Sequence, residues 1–188
     1  MLTLIGRGVN LRSLRPGDAT WLARAMARGS WWRLESPWEG RPTRAELRKI
    51  PSQVRALARS RESPPARMVI ETRDGASIGT VTRYWADERT EWLEVGVGLY
   101  NTRYWGRGYG TEALGLWVDY LFETMPVRRI GLRTWSGNPR MMRLARRLGF
   151  REEARFRETY QAGGRTHDRL AYGLLRREWR RARRALVV

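Results

Sequence analysis

The stretch Tyr104-Trp105-Gly106-Arg107-Gly108-Tyr109-Gly110-Thr111-Glu112-Ala113 decides how this chain folds. Glycine at 106, 108 and 110 lets the backbone turn tightly and come close to a ligand. Beyond it, Leu114, Trp117, Val118, Leu121 and Met125 recur at the spacing of an amphipathic helix. Ahead of it, Leu93, Val95, Val97 and Leu99 alternate as a half-buried strand does. Strand, glycine turn and helix form a cradle for an anion: amides at the helix start lack internal partners, and the helix dipole favours negative charge there. Arg103 and Arg107 add positive charge at that end. No Lys-Ser/Thr pair follows the last glycine, which excludes a P-loop, and the glycine spacing is wrong for a dinucleotide fingerprint. A plain strand-to-helix turn fits the same residues, so two readings stand, phosphate cradle and structural turn.

The chain has 188 residues, 41% of them hydrophobic, which suits a single domain spanning 1–188 with a substantial core. Without cysteine there is no disulfide, thiolate nucleophile or cysteine-ligated metal. The single histidine, His167, argues against a zinc site or a histidine-based triad, so no metal is expected. No apolar run approaches the ~20 residues of a spanning helix, and the first residues lack a signal-peptide core. The expectation is a soluble cytoplasmic protein with no membrane partner. The formal net charge is +18, and all 37 basic residues but Lys49 are arginine. Such one-sided usage reads as codon bias ahead of nucleic-acid binding, because no RNA- or DNA-binding motif accompanies it.

Outward from the turn, Val9 to Leu14 alternate as a strand, and Pro16-Gly17-Asp18 break it with Asp18 as a candidate N-cap. Leu22, Ala23 and Met26 then share one helix face. Trp31, Trp32 and Trp38 fall in a probable loop; they either plug one end of a core or line an acceptor pocket. Thr43-Arg44-Ala45-Glu46 is a capping-box pattern opening a second helix towards Ala58. Residues 68–72 and 77–85 flank an Asp74-Gly75 turn as a hairpin, and Trp92 to Leu99 adds a third strand. Arg129 to Thr134 reads as another strand. Asn138-Pro139 opens a helix that Gly149 closes. Strands near Glu153 to Tyr160 and Arg169 to Gly173 flank Ala162-Gly163-Gly164, and an Arg-rich helix follows. This order predicts an α/β (α+β) fold: a mixed, partly antiparallel central sheet flanked by helices.

The strand before the turn turns Leu93, Val95, Val97 and Leu99 to a core and Trp92, Glu94, Gly96 and Gly98 the other way. Glycine inside a strand marks a bulge or a close approach by backbone or ligand. The second face is bare beyond Glu94, and a slender ligand fits along it. Glu94 is either a solvated or salt-bridged carboxylate, or a catalytic one beside a phosphate cradle.

Residues 105–113 resemble the pyrophosphate loop of the GNAT N-acetyltransferase superfamily. Asn138 to Phe150, an asparagine followed by a helix ending in Gly-Phe, resembles its second cofactor segment. The element order is similar to the RimJ/RimL-like branch, which includes acetyltransferases of ribosomal-protein N-termini, over roughly Val9 to Trp179. The resemblance implies a GNAT-like domain that uses acetyl-CoA as acetyl donor. It places the pyrophosphate on the backbone of Trp105, Gly106, Arg107, Gly108, Tyr109, Gly110 and Thr111. It sets the pantetheine and thioester against Val95, Gly96 and Val97, the cofactor arm on Asn138, and the 3′-phosphate on Arg143 or Arg146. Glu94 falls where many members carry a general base, and Trp31, Trp32 and Trp38 are the acceptor-side residues.

Three departures accompany the likeness. The Gln or Arg that often begins the loop, three residues before the central glycine, is replaced by Trp105. The tyrosine acid that often follows the asparagine by seven residues is Ala145, and the serine some members place three after it is Met141. Tyr160 or water is left to protonate the thiolate, unless a thiol of pKa ~8.5 leaves unaided. The implied activity is direct, metal-free acetyl transfer to a primary amine, on a ribosomal or other protein N-terminus or on a small molecule. A homodimer is compatible with it. The competing class is a basic ribosome- or nucleic-acid-binding module that keeps the fold without the chemistry.

Overall fold

The computed structural model describes residues 2–186, with side chains through 183. It contains β1 (Thr3–Ile5), β2 (Val9–Ser13), α1 (Asp18–Arg28), α2 (Trp32–Glu35), α3 (Arg44–Arg59), β3 (Arg67–Thr72), β4 (Ser77–Asp87) and β5 (Trp92–Leu99). These are followed by α4 (Tyr109–Thr124), β6 (Arg129–Trp135), α5 (Pro139–Arg147), β7 (Arg151–Ala162), β8 (Arg165–Leu175) and α6 (Arg176–Leu186). The strands are ordered β1-β2-β3-β4-β5-β6-β8-β7. β5 runs parallel to β6, with Glu94 opposite Gly131, because α4 carries the chain back between them. β1–β2, β2–β3, β3–β4, β6–β8 and β7–β8 are antiparallel. The expected mixed, partly antiparallel sheet with helices is therefore the observed fold. Among the described residues, no helix is long and apolar enough to cross a membrane.

The chain divides into two compact units, Met1–Thr82 with Val97–Ala113, and Arg83–Gly96 with Leu114–Val188. In the first, α1 and α3 bury Leu22, Ile50 and Val54 with Leu14, Val69 and Tyr100. Ala23 and Met26 pack against this cluster, as their shared face predicts. Thr43 opens α3 with a complete capping box: its hydroxyl accepts from the Glu46 amide, and Glu46 accepts from the Thr43 amide. Asp18 does not cap α1. The cap position is Gly17, and Asp18, inside the first turn, faces Arg12 in a two-pronged ion pair at 2.8 and 2.9 Å. Arg12 also donates to Glu71 at 2.9 Å and Ser77 at 3.1 Å, so its buried guanidinium is well partnered. The strand β1 was not expected; its three residues are too few to show alternation, and Ile5 is exposed.

In the second unit, α4 buries Leu114, Trp117, Val118, Leu121 and Phe122, about 1.5–3 kcal/mol for each large apolar side chain. Phe122 takes the place expected of Met125, which lies just past the helix end and is half-buried. Asn138 caps α5 by accepting from the Met141 amide at 3.0 Å, with Pro139 in the first turn, and Gly149 ends that helix at φ 86°. The last hairpin is longer than expected because β7 is mostly exposed and carries little hydrophobic alternation. Gly163 and Gly164, both at positive φ, supply its two-residue turn.

Burial pulls the Asp18 carboxyl upward, but hydrogen bonds from Arg12 and the Arg15 amide outweigh it and hold the group below the usual carboxylate range. A depressed pKa adds stability above the unfolded value of ~3.9, and that stability disappears as pH falls through the folded value. Asp18→Asn should cost about 3 kcal/mol near neutrality, because it leaves Arg12 short of a buried partner. Urea unfolding should show the gap between variant and wild type narrowing as pH is lowered through the carboxylate range.

Candidate active site

The turn after β5 is held by its own side chains. Asn101 accepts from the Arg103 amide at 3.0 Å and starts a 3-10 turn over Thr102–Tyr104. The Trp105 indole donates to the Leu99 carbonyl at 2.9 Å and fixes the end of the strand. Gly106 and Gly108 then take φ values of 75° and 85°, while Gly110 already belongs to α4. A Cβ at either left-handed glycine would meet nothing within 4 Å, so open space lies over the turn. The Glu112 amide reaches back to the Gly108 carbonyl at 3.0 Å, and the helix amides ahead of it are those that lack intrahelical partners. Glu112 also accepts from the Gly8 amide at 2.8 Å, which ties the β1–β2 turn to the first turn of α4.

The left-handed glycines of the loop are 106 and 108; Arg103 stands three residues before the first of them and Trp105 three before the second. Arg103 is exposed and its guanidinium lies 4.6 Å from the centre of the Tyr104 ring. Trp105 contributes its side chain to bracing the strand.

Glu94 is not an open carboxylate on a bare face. It is only 2% exposed, and both its oxygens are engaged. Arg133 donates to Oε1 at 2.8 Å, and the Tyr84 hydroxyl donates to Oε2 at 2.9 Å. Tyr84 itself is 48% exposed, so its ring links the buried carboxylate to the surface. Burial, reinforced by the Glu94 charge, pushes the Tyr84 phenol up to about 12, which keeps its proton in place as a donor. Neither Tyr84 nor Arg133 was visible as a partner in the sequence. They lie 10 and 39 residues from Glu94, and no local pattern marks contacts of that kind. Val95, next to Glu94, is buried, and Gly96 and Val97 are half-buried.

The remaining predicted residues divide by what they touch. The side-chain carbonyl of Asn138 is used as the α5 cap. Arg143 is exposed without an ion-pair partner among the described residues, whereas Arg146 lies 3.9 Å from Glu152. Trp31 donates to the Met26 carbonyl at 3.1 Å and packs edge-on against Tyr100, which is the plug reading of that residue. Trp32 lies under the Arg33 guanidinium, and Trp38 is 37% exposed. Tyr160 stands opposite His167 in the β7–β8 pair.

A glycine turn leads from the strand that buries the paired carboxylate into α4, within a mixed α/β fold. The chain belongs to the GNAT acetyltransferase family: residues 9–151 match the acetyltransferase (GNAT) domain. YdaF of Bacillus subtilis strain 168, named provisionally as a ribosomal N-acetyltransferase, is 29% identical over 106 residues. That match covers 56% of this chain and 57% of YdaF, so the chain spans little more than half the length of this relative. The ribosomal-protein-S5-alanine acetyltransferase of Vibrio fischeri shares the fold at a TM-score of 0.78 and 19% identity, covering 95% of this chain and all but 1% of its own. RimL, a ribosomal L7/L12 α-N-protein acetyltransferase solved with coenzyme A, does so at 0.74 and 14%, covering 92% and 96%.

Removing one member of the Glu94 cluster should expose how its charge is accommodated. Arg133→Met should cost about 2 kcal/mol, because a buried carboxylate loses its countercharge. The double variant Arg133→Met/Glu94→Gln should recover most of that loss in a urea double-mutant cycle. Strictly additive costs would show that the two side chains do not act as a pair.

Proposed function

We propose that this protein is an acetyl-CoA-dependent N-acetyltransferase acting on a primary amine. The observation that carries the reading is the turn at Gly106 and Gly108: left-handed glycines under open space, opening a helix whose leading amides seek an anion. Family membership supports the same reading. The backbone from Trp105 to Thr111 holds the pyrophosphate, Val95 to Val97 flank the thioester, and Asn138 meets the cofactor arm. Arg143, with no carboxylate partner, is better suited than Arg146 to the 3′-phosphate.

In the reaction, the amine nitrogen attacks the thioester carbonyl, the C–N bond forms, and the C–S bond breaks to release the thiolate. An ammonium acceptor must first lose a proton. Glu94 is the base we assign, and its burial makes Tyr84 the route to it. The phenol oxygen takes the amine proton as the hydroxyl proton moves to Glu94, so Tyr84 remains neutral throughout. A strand amide stabilises the oxyanion, and holding both substrates together supplies proximity. The acceptor class we favour is a protein N-terminus, following the names of YdaF and RimL. Peptides with free N-termini, compared with polyamines for a mass gain of one acetyl group, test that choice.

Three substitutions test the site itself. Gly108→Asn keeps access to left-handed backbone but adds a side chain over the turn, and should weaken acetyl-CoA binding at least ~10-fold in a folded protein. Unchanged affinity by calorimetry would leave the turn merely structural. Glu94→Gln should lower kcat by ~10² or more and Tyr84→Phe by about tenfold, both with little change in acetyl-CoA affinity. Activity within about twofold of wild type for both variants from pH 6 to 9 would remove the pair from the chemistry.

A further inference from the structure

A cleft lies in the first unit, beside the start of the glycine turn. Its volume is about 780 Å³, and its lining runs along α1, the start of β4 and the segment after β5 as far as Tyr104. None of residues 105–111 lines it. The cleft is built on a rigid floor. Tyr100 is buried there with its hydroxyl 2.8 Å from that of Thr80, and Trp21 packs edge-on to its ring at 6.2 Å. Gly29 is pressed so close that a Cβ would lie 2.3 Å from the Tyr100 carbonyl.

The charge of the lining is one-sided. Arg24 and Arg28, one turn apart on α1, and Arg103 all contribute, and no Asp or Glu does. Among the described residues, no carboxylate pairs with Arg24 or Arg28, and both are exposed. Asp18 is held by Arg12, and Asp74 accepts from the Thr72 hydroxyl and feels the charge of Arg103. Arg24 and Arg28, left without a carboxylate partner among the described residues, make a positive field that an anion relieves. Thr20, Ser30 and Ser77 add hydroxyl donors, and Trp21 and Tyr104 add aromatic walls.

We propose that this cleft binds a phosphorylated ligand, at a site separate from the acetyl-CoA turn. Several guanidinium forks and hydroxyls suit the many acceptor oxygens and double charge of a phosphoryl group. The volume admits more than one phosphate, and the aromatic walls accommodate an attached ring. The inference rests on Arg24 and Arg28, since Arg103 is shared with the end of the glycine turn, and for that reason the test is run on protein saturated with coenzyme A.

Calorimetry at low salt with inorganic pyrophosphate, on the full chain saturated with coenzyme A, tests it. Pyrophosphate should still bind the saturated protein. Arg24→Ala/Arg28→Ala should weaken that binding at least ~10-fold while changing coenzyme A affinity less than about twofold. Arg44→Ala/Arg48→Ala removes the same charge from the exposed face of α3 and should leave binding within about twofold. Loss of pyrophosphate binding on saturation with coenzyme A would assign the cleft to that cofactor and overturn the proposal. Equal weakening by both double variants would reduce it to attraction by net charge, and undiminished binding in Arg24→Ala/Arg28→Ala would move it elsewhere.

Discussion

The constraint on which the first unit depends is a backbone one: the chain must leave β5 and enter α4 with its amides turned outward. Left-handed backbone costs most residues about 1–2 kcal/mol each, so Gly106 and Gly108 are the residues that permit this turn. Its ends are pinned from within, by the Trp105 indole on the Leu99 carbonyl and by the Glu112 amide on the Gly108 carbonyl. Glu112 extends the constraint further, since its carboxylate receives the Gly8 amide and positions the β1–β2 turn. One short segment thus ends a strand, starts a helix, anchors a distant hairpin and leaves space above itself for a ligand.

Two buried carboxylates, Asp18 at the start of α1 and Glu94 in β5, show different solutions to the same desolvation problem. Asp18 sits in a closed arrangement, with a two-pronged guanidinium and a backbone amide on its oxygens. Arg12 completes that arrangement by reaching Glu71 and Ser77, both of them half-buried. Glu94 is equally buried, but one of its two partners is a neutral phenol that is half exposed. A purely structural ion pair gains nothing from such an opening. A carboxylate that must exchange a proton with a bound amine requires one.

Much of this was readable from local pattern. The strand from Trp92 to Leu99, the Thr43 capping box, the Asn138-Pro139 start and the Gly149 stop all reappear as structure, because each is determined within a few residues; the expected core face of the strand does not, since Glu94 is buried and Val97 and Leu99 are only half-buried. The features that escaped are non-local. Asp18 has the right chemistry for a cap, but a guanidinium six residues upstream makes the stronger claim on it. Glu94 stood out through its glycine neighbours, yet its burial is set by Tyr84 and Arg133, which the sheet brings to it. Trp31 was compatible with either a plug or a pocket wall, and only its contact with Tyr100 distinguishes the two.

The arginine excess takes on a different meaning once each side chain is located. Codon bias, the expectation from composition, speaks to the choice of arginine over lysine and not to where the groups end up. Arg176 donates to the carbonyls of Phe122, Met125 and Val127, serving as a C-cap for α4. Arg183 bridges Asp119 and Glu123, and Arg155 spans Glu152 and Asp168. These guanidiniums use planar, multi-pronged geometry that an ammonium does not reproduce. The net charge of +18 already subtracts the 19 acids, so these bridges do not lower it; they show that many of the guanidiniums have partners inside the fold. What remains informative is the small set that converges without acids, and a convergence of that kind belongs to a defined ligand rather than to the charge of the whole chain.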